Sequence, residues 1–174
     1  MLRSQLHPLP AYFDRYINLC DDVPLLQAIQ TSLDEIDRFP LDRWAALGDR
    51  AYAPGTWTVR DILQHLIDTE RVFSYRALAF ARGDTQAMPP FSEDDFAAAA
   101  RASDRSLDSL MEELKVSRRS FLALYQSFTP EMLARTGMGF RGEYSVADIG
   151  FIMPGHQRWH MKVLEERYYP MLGG

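Results

Sequence analysis

The amino-acid sequence predicts an all-α protein, specifically a four-helix bundle with long crossover loops and short extra helices. Apolar residues recur at steps of three and four in four long segments, as expected when one face of each helix packs into a core. Nowhere do β-branched residues alternate with polar ones over the length of a strand. The connections between the long segments are too long for tight helical hairpins, which predicts at least one crossover.

The four long helices are predicted over residues 22–38, 58–82, 104–127 and 146–168. The first has Asp22 as a candidate N-cap and a proline in its first turn, where proline is tolerated. The second follows the capping signature of Thr58 and Asp61, and the fourth follows that of Ser145 and Asp148. The third is predicted from its period of apolar residues alone.

The segments between these helices are predicted to be mostly irregular. Residues 1–20 contain HPLP and show no clean period, which predicts an extended arm held in place by its aromatic side chains. Residues 39–57 are rich in proline and glycine and are predicted to form a long loop. A short helix is expected after Ser92, a single helical turn after Thr129, and an irregular glycine-rich loop over residues 137–142.

The composition is that of one soluble globular domain covering residues 1–174, with 47% apolar and 25% charged residues. The sequence has neither a transmembrane segment nor the apolar core of a signal peptide, so we expect a cytoplasmic protein without membrane contacts. The net charge of -5 argues against nucleic acid as a partner. A lone cysteine, Cys20, excludes an internal disulfide and a thiolate cluster, so any metal site must use histidines and carboxylates.

Histidine spacing indicates such a site. His156 and His160 are four residues apart, which places them on one face of the last helix, and that face is otherwise apolar. His65 lies on the predicted inward face of the second long helix. Three imidazoles bind Zn, Ni, Fe or Cu and leave a coordination position for water or substrate. The alternative is that these are core histidines satisfied by carbonyl groups or by one another.

Three charged residues on the second long helix are further candidates. Asp68 follows His65 by three residues and is predicted to be a metal ligand, a hydrogen-bond partner of a ligating histidine, or a solvated boundary charge. Arg76 returns to nearly the same helical angle as His65 and would suit a substrate carboxylate, although pairing with a buried acid is the favoured interpretation. Glu70 points away from His65 and is expected in a structural ion pair.

Two stretches resemble the DinB-like family, also described as DinB/YfiT-like metalloenzymes. They are YAPGTWTVRDILQHLIDTERVFSYRALAFARGD at residues 52–84 and SVADIGFIMPGHQRWHMKVLEERY at residues 145–168. The most specific features are PGxWT before a histidine of the second long helix and a final GHxxxH. The family pattern GHExHH is altered here by Gln157 and Trp159, which removes a carboxylate near the site.

The resemblance implies a four-helix bundle, commonly a homodimer, that holds a divalent metal through His65, His156 and His160. Characterised relatives include enzymes that use a low-molecular-weight thiol such as mycothiol or bacillithiol, as S-transferases or as a maleylpyruvate isomerase. Others are named metal-dependent hydrolases, and most members have no assigned reaction.

Three hypotheses follow, in this order. The first is an enzyme in which Zn, Ni or Fe activates a thiol or water against a small-molecule substrate, with Arg76 or aromatic residues such as Trp159 lining the substrate side. The second is a non-catalytic bundle in which a metal staples two helices of a dimeric stress-response or interaction protein. The third is a set of core histidines without metal.

Overall fold

The computed structural model describes residues 1–173 and contains the predicted four-helix bundle, with a small hairpin added. In chain order the helices are α1 (Asp14–Ile17), α2 (Leu25–Ile36), α3 (Leu41–Leu47), α4 (Val59–Ala81), α5 (Glu93–Ala100), α6 (Leu107–Gln126), α7 (Pro130–Leu133) and α8 (Val146–Val163). Strands β1 (Thr136–Gly139) and β2 (Gly142–Ser145) form an antiparallel pair just before α8. Within residues 1–173, none of the helices combines the length and apolarity needed to span a bilayer.

The bundle consists of α2, α4, α6 and α8, and its corners do not follow chain order. Helices α2 and α4 each pack against both α6 and α8. The consecutive long helices α2 and α4 therefore lie at opposite corners, and the chain crosses over between them. This arrangement confirms the predicted crossover and makes α4 and α8, which carry the three site histidines, direct neighbours.

The predicted capping signatures begin both of these helices. The Thr58 hydroxyl accepts the Asp61 N–H at 3.2 Å, and the Asp61 carboxylate accepts the Thr58 N–H at 2.9 Å. The same reciprocal pair joins Ser145 and Asp148, at 3.0 and 2.8 Å. Each capping box satisfies backbone N–H groups that no intrahelical carbonyl can reach, so it fixes where the helix starts.

The N-terminal third of the chain contains more helix than predicted. The segment 39–57, predicted as a loop, includes α3, and Trp44 of this helix is fully buried. A helix of two turns is too short to show a clear period of apolar residues, so the sequence pattern did not predict it. The arm 1–20 is not extended throughout, since it forms a turn at Arg3–Gln5 and the helix α1. Asp22 does not cap α2, because its carboxylate instead accepts the N–H of Ser4 at 2.8 Å.

The prediction of an irregular loop over residues 137–142 is wrong, because this segment forms the turn and flanks of the β1–β2 hairpin. The two strands are rich in glycine and lack the alternating β-branched residues that indicate a strand, so the sequence pattern did not predict them. A β-carbon at Gly137 would lie 2.1 Å from the Phe80 ring, so β1 can pack on α4 only without a side chain there.

A layer of buried polar side chains divides the apolar core into two clusters. We call it the polar layer and define it as one residue from each long helix: Ser32, Glu70, Arg118 and Gln157. Arg118 Nε donates to Glu70 Oε1 at 2.6 Å, and its guanidinium also contacts the Ser32 hydroxyl. Gln157 Nε2 donates to the Ser32 carbonyl at 2.9 Å. Of the three candidate site histidines, His156 directly precedes Gln157 of this layer on α8.

Candidate metal centre

Three histidine side chains from α4 and α8 converge on one point. His65 Nε2 lies 3.1 Å from His156 Nε2, and His160 Nε2 lies 3.1 Å from the same atom. The ligand atoms of all three lie within 4.8 Å of one another. His65 and His156 are each 5% exposed. The structure thus brings together the three histidines that the spacing singled out.

These contacts cannot all be hydrogen bonds. A neutral imidazole nitrogen carries either one proton or one lone pair, so His156 Nε2 can make one ring-plane hydrogen bond but faces two nitrogens at 3.1 Å. At least one histidine nitrogen therefore lacks a hydrogen-bond partner within the cluster. Burying a polar group without such a partner costs free energy, and folded proteins rarely do so. A cation at the common point would be met by all three nitrogens at once.

The Thr69 hydroxyl contacts the ring nitrogen of His65 that is not directed at the cluster. This hydroxyl lies one helical turn further along α4 and 3.3 Å from His65 Nδ1. When Nδ1 carries the proton and donates it to the hydroxyl, Nε2 presents a bare lone pair to the cluster.

Burial keeps all three rings neutral. Desolvation, with a smaller effect of His160, lowers the pKa of His65 to about 3. Desolvation alone lowers the pKa of His160 to about 4, and desolvation with the neighbouring histidines lowers the pKa of His156 well below its usual range. Since a metal competes with protons for imidazole nitrogens, a neutral cluster is ready to coordinate at pH 7.

Two aromatic residues outside the predicted site pack against it. The Trp57 ring centroid lies 4.7 Å from that of His65, and the ring stacks on His160 at 6.4 Å with an interplanar angle of 19°. Tyr16 of α1 meets His156 edge-on at 5.1 Å. The sequence signal for Trp57 was the tryptophan of PGxWT, directly before the cap of α4. Trp159, expected on the substrate side, packs against Tyr16 at 5.8 Å.

The charged candidates on α4 take other roles. The Asp68 carboxylate accepts the amide of Gln64 at 2.9 Å and does not reach the histidines, so it is a boundary charge. The expected ion pair of Glu70 is confirmed by its contact with Arg118. Within residues 1–173, no aspartate, glutamate or cysteine joins the three histidines.

Two cavities reach the cluster from different sides. A cavity of about 260 Å³ borders His156 and Thr69, with further walls from α1, α4, α5 and the β1–β2 hairpin. A second cavity of about 230 Å³ borders His160 and Trp57. Asp94 of α5 lines both, so α5 covers the approach to the histidines. A small molecule can therefore lie against the cluster.

Comparison with known proteins gave one family and two similar folds. The model of the DinB superfamily matches residues 25–164. The structure is similar to that of YfiT from Bacillus subtilis, a probable metal-dependent hydrolase with an unusual four-helix bundle topology, with a TM-score of 0.69 and 18% identity over 91% of this chain and 87% of YfiT. It is also similar to a mycothiol-dependent maleylpyruvate isomerase, with a TM-score of 0.64 and 16% identity over 84% of this chain and 62% of the isomerase. No curated protein sequence matches significantly.

Proposed function

The chain belongs to the DinB superfamily, and from this premise we propose that it is a metal-dependent enzyme whose site consists of His65, His156 and His160. A bound divalent ion of Zn, Ni or Fe would supply the acidity that turns a thiol or water into a nucleophile at neutral pH. The observation that carries the proposal is the convergence of three neutral imidazole nitrogens that cannot satisfy one another. Three protein ligands leave a position open, as catalytic sites require.

We further propose that the nucleophile is a low-molecular-weight thiol in an S-transferase reaction, or water in a hydrolysis. The mycothiol-dependent isomerase and YfiT, which share the fold, support these two chemistries respectively. The chain's own residues orient His65 through Thr69 and border His156 with a cavity that admits a small molecule.

The proposed reaction uses no carboxylate base from α8. Gln157, which replaces the glutamate of the family pattern, is fully buried and donates to the Ser32 carbonyl and, at 3.2 Å, to Glu35. It lines neither cavity beside the histidines, and a neutral amide cannot act as a base toward a substrate. A thiol fits this site well, because a coordinated thiol is deprotonated without a protein base in the active site.

The metal content of the purified, untagged protein tests the site. We expect about one divalent ion per chain by elemental analysis, since a three-nitrogen site holds a single ion. His65→Ala and His156→Ala should each lose it, because two nitrogens remain. His7→Ala is the matched control, since His7 is exposed and lies outside the cluster.

Two activities are then measured with the metal-loaded protein. S-transfer is measured with cysteine, glutathione, mycothiol or bacillithiol as the thiol and a bimane as the electrophile. Hydrolysis is measured with ester and amide substrates. Turnover that disappears in His156→Ala and persists in His7→Ala supports the enzyme. A metal-free wild-type protein, even after incubation with Zn, Ni and Fe, would refute the metal centre. A bound metal that raises the melting temperature but gives no turnover would favour the non-catalytic, metal-stapled bundle.

A further inference from the structure

A buried arginine without an acidic partner lies in the cavity beside His156. Arg76 is 2% exposed and lines the cavity of about 260 Å³ together with His156 and Thr69. The sequence favoured a buried acid as its partner, but that interpretation is wrong. Within residues 1–173, no aspartate or glutamate forms an ion pair with Arg76, whereas the other fully buried arginine, Arg118, is paired with Glu70.

The contacts that Arg76 does make leave its charge uncompensated. One terminal nitrogen donates to the Tyr144 hydroxyl at 3.3 Å and the other to the Pro89 carbonyl at 2.9 Å. The guanidinium lies over the Phe73 ring, 4.7 Å from its centroid. All three partners are neutral, while a guanidinium offers five N–H donors in a planar fork that matches a carboxylate. Burying such a charge without an anion is costly.

We propose that this cavity binds the carboxylate of a small organic acid at Arg76 and presents the body of that acid to the histidine cluster. The inference rests on the proposed function and deepens it by naming the substrate class. Thr69, Phe73 and Arg76 lie along one face of α4, and side chains of a helix lean toward its N-terminus, which here is the direction of His65. A ligand held at Arg76 therefore extends along α4 toward the site.

The walls of the cavity favour an acid with an apolar body. Phe13, Phe73, Ile152 and Met153 are among the residues that line it. Glu93 and Asp94 at the start of α5 also line the cavity; both are exposed residues, and partial desolvation raises the pKa of Glu93. Arg76 is thus the one fully buried charge in the lining.

Acid and amide pairs test the inference. Formate, butyrate and benzoate are titrated by calorimetry against wild-type protein, each beside its neutral amide, with chelator-treated protein and again after metal loading. At least one acid should bind, and its amide should bind roughly tenfold or more weakly, because a charge-assisted pair is lost. The chelator-treated arm excludes binding of the acid to the metal itself.

Arg76→Met should weaken binding of that acid by roughly ten to a hundredfold and leave the weak binding of the amide unchanged. Arg76→Lys keeps the charge without the fork and should bind the acid with intermediate affinity. Arg119→Met is the matched control, because it removes the same charge from an exposed position on α6. If Arg76→Met fails to fold, the acid and amide comparison on wild-type protein and on Arg76→Lys still decides.

Two results would overturn the inference: no acid binds the wild-type protein, or acid and amide bind equally. The two proposals fail independently. If the protein holds no metal but binds the acid more tightly than the amide, the carboxylate site is supported and the metal-dependent enzyme is refuted. If the protein holds a metal but binds acid and amide equally, the metal centre is supported and the carboxylate site is refuted.

Discussion

A histidine in water titrates near pH 6.5, and burial moves the three site histidines far below that value. The folded chain therefore holds three neutral rings, each with one N–H, where the unfolded chain would hold imidazolium ions in mild acid. Spacing and inward orientation were enough to select His65, His156 and His160 from the sequence. Spacing could not reveal that Arg76 lacks an acid, because that depends on which side chains the other helices bring to it.

The metal-free protein should lose stability as the pH falls from about 7 to about 4. The pKa values of His65 and His160 are lowered to about 3 and about 4 in the folded state, so only the unfolded state gains protons in this window. Each buried histidine then contributes a slope of up to about 1.4 kcal/mol per pH unit to the free energy of unfolding. Urea unfolding of chelator-treated protein across the window measures the slope.

Carboxylates also titrate in this window, so the slope is compared between variants. His160→Gln removes one site histidine and should give a shallower slope, whereas His7→Ala should leave the slope as it is, because His7 is exposed and outside the cluster. Equal slopes in His160→Gln and wild-type protein would contradict the assignment of buried, neutral rings.

Among the elements, the approach of α1 to α8 determines how His156 is packed. Gly155, the residue before His156, makes this approach possible, because a β-carbon there would lie 1.9 Å from the backbone oxygen of Tyr16. The close contact allows the Tyr16 ring to reach the edge of His156. The long helices and the capping boxes of α4 and α8 were predictable because each is encoded locally. Helix α1 was not, since only its contact with α8 explains why it forms.

Gly155→Ala should destabilise the protein by about 1–3 kcal/mol, because backbone cannot move aside as a side chain can. Gly150→Ala is the matched comparison, since it adds the same methyl group to α8 but meets side-chain atoms of Leu25 and Tyr125, at 2.6 and 2.7 Å. Urea unfolding of both variants should show the larger loss for Gly155→Ala. The reverse order would show that α1 does not constrain α8.

On the scale of the whole molecule, the polar layer separates the two apolar clusters of the core. Two of its atoms, Glu70 Oε2 and Gln157 Oε1, are buried without a hydrogen-bond partner. Desolvation raises the pKa of Glu70 against the effect of Arg118, so the pair is held at an energetic cost. The sequence predicted a structural pair for Glu70 but not its partner, because Arg118 lies 48 residues away on α6.

Arg118→Met should lower the free energy of unfolding by about 3–5 kcal/mol, because it leaves the Glu70 carboxylate buried and unpaired. Adding Glu70→Met should recover a large part of this loss, since two apolar side chains of similar volume fill the gap. Arg119→Met, an exposed neighbour, should change the free energy of unfolding by no more than about 0.5 kcal/mol. A double variant as unstable as Arg118→Met alone would contradict the account, as measured by urea unfolding.

The homodimer expected from the family resemblance stays a prediction. Sedimentation velocity would measure the oligomeric state directly. Exposed apolar side chains that such an interface could cover include Tyr75 on α4 and Val116 on α6, at 61% and 54% exposure.

The crossover topology has a consequence for biosynthesis. His65 and His156 are separated by 91 residues, so the ribosome synthesises α4 well before α8. A nascent chain that has released α4 holds only one of the three nitrogens, so it cannot capture a metal at this site. Under the proposed function, metal loading would therefore have to wait until α8 docks against α4.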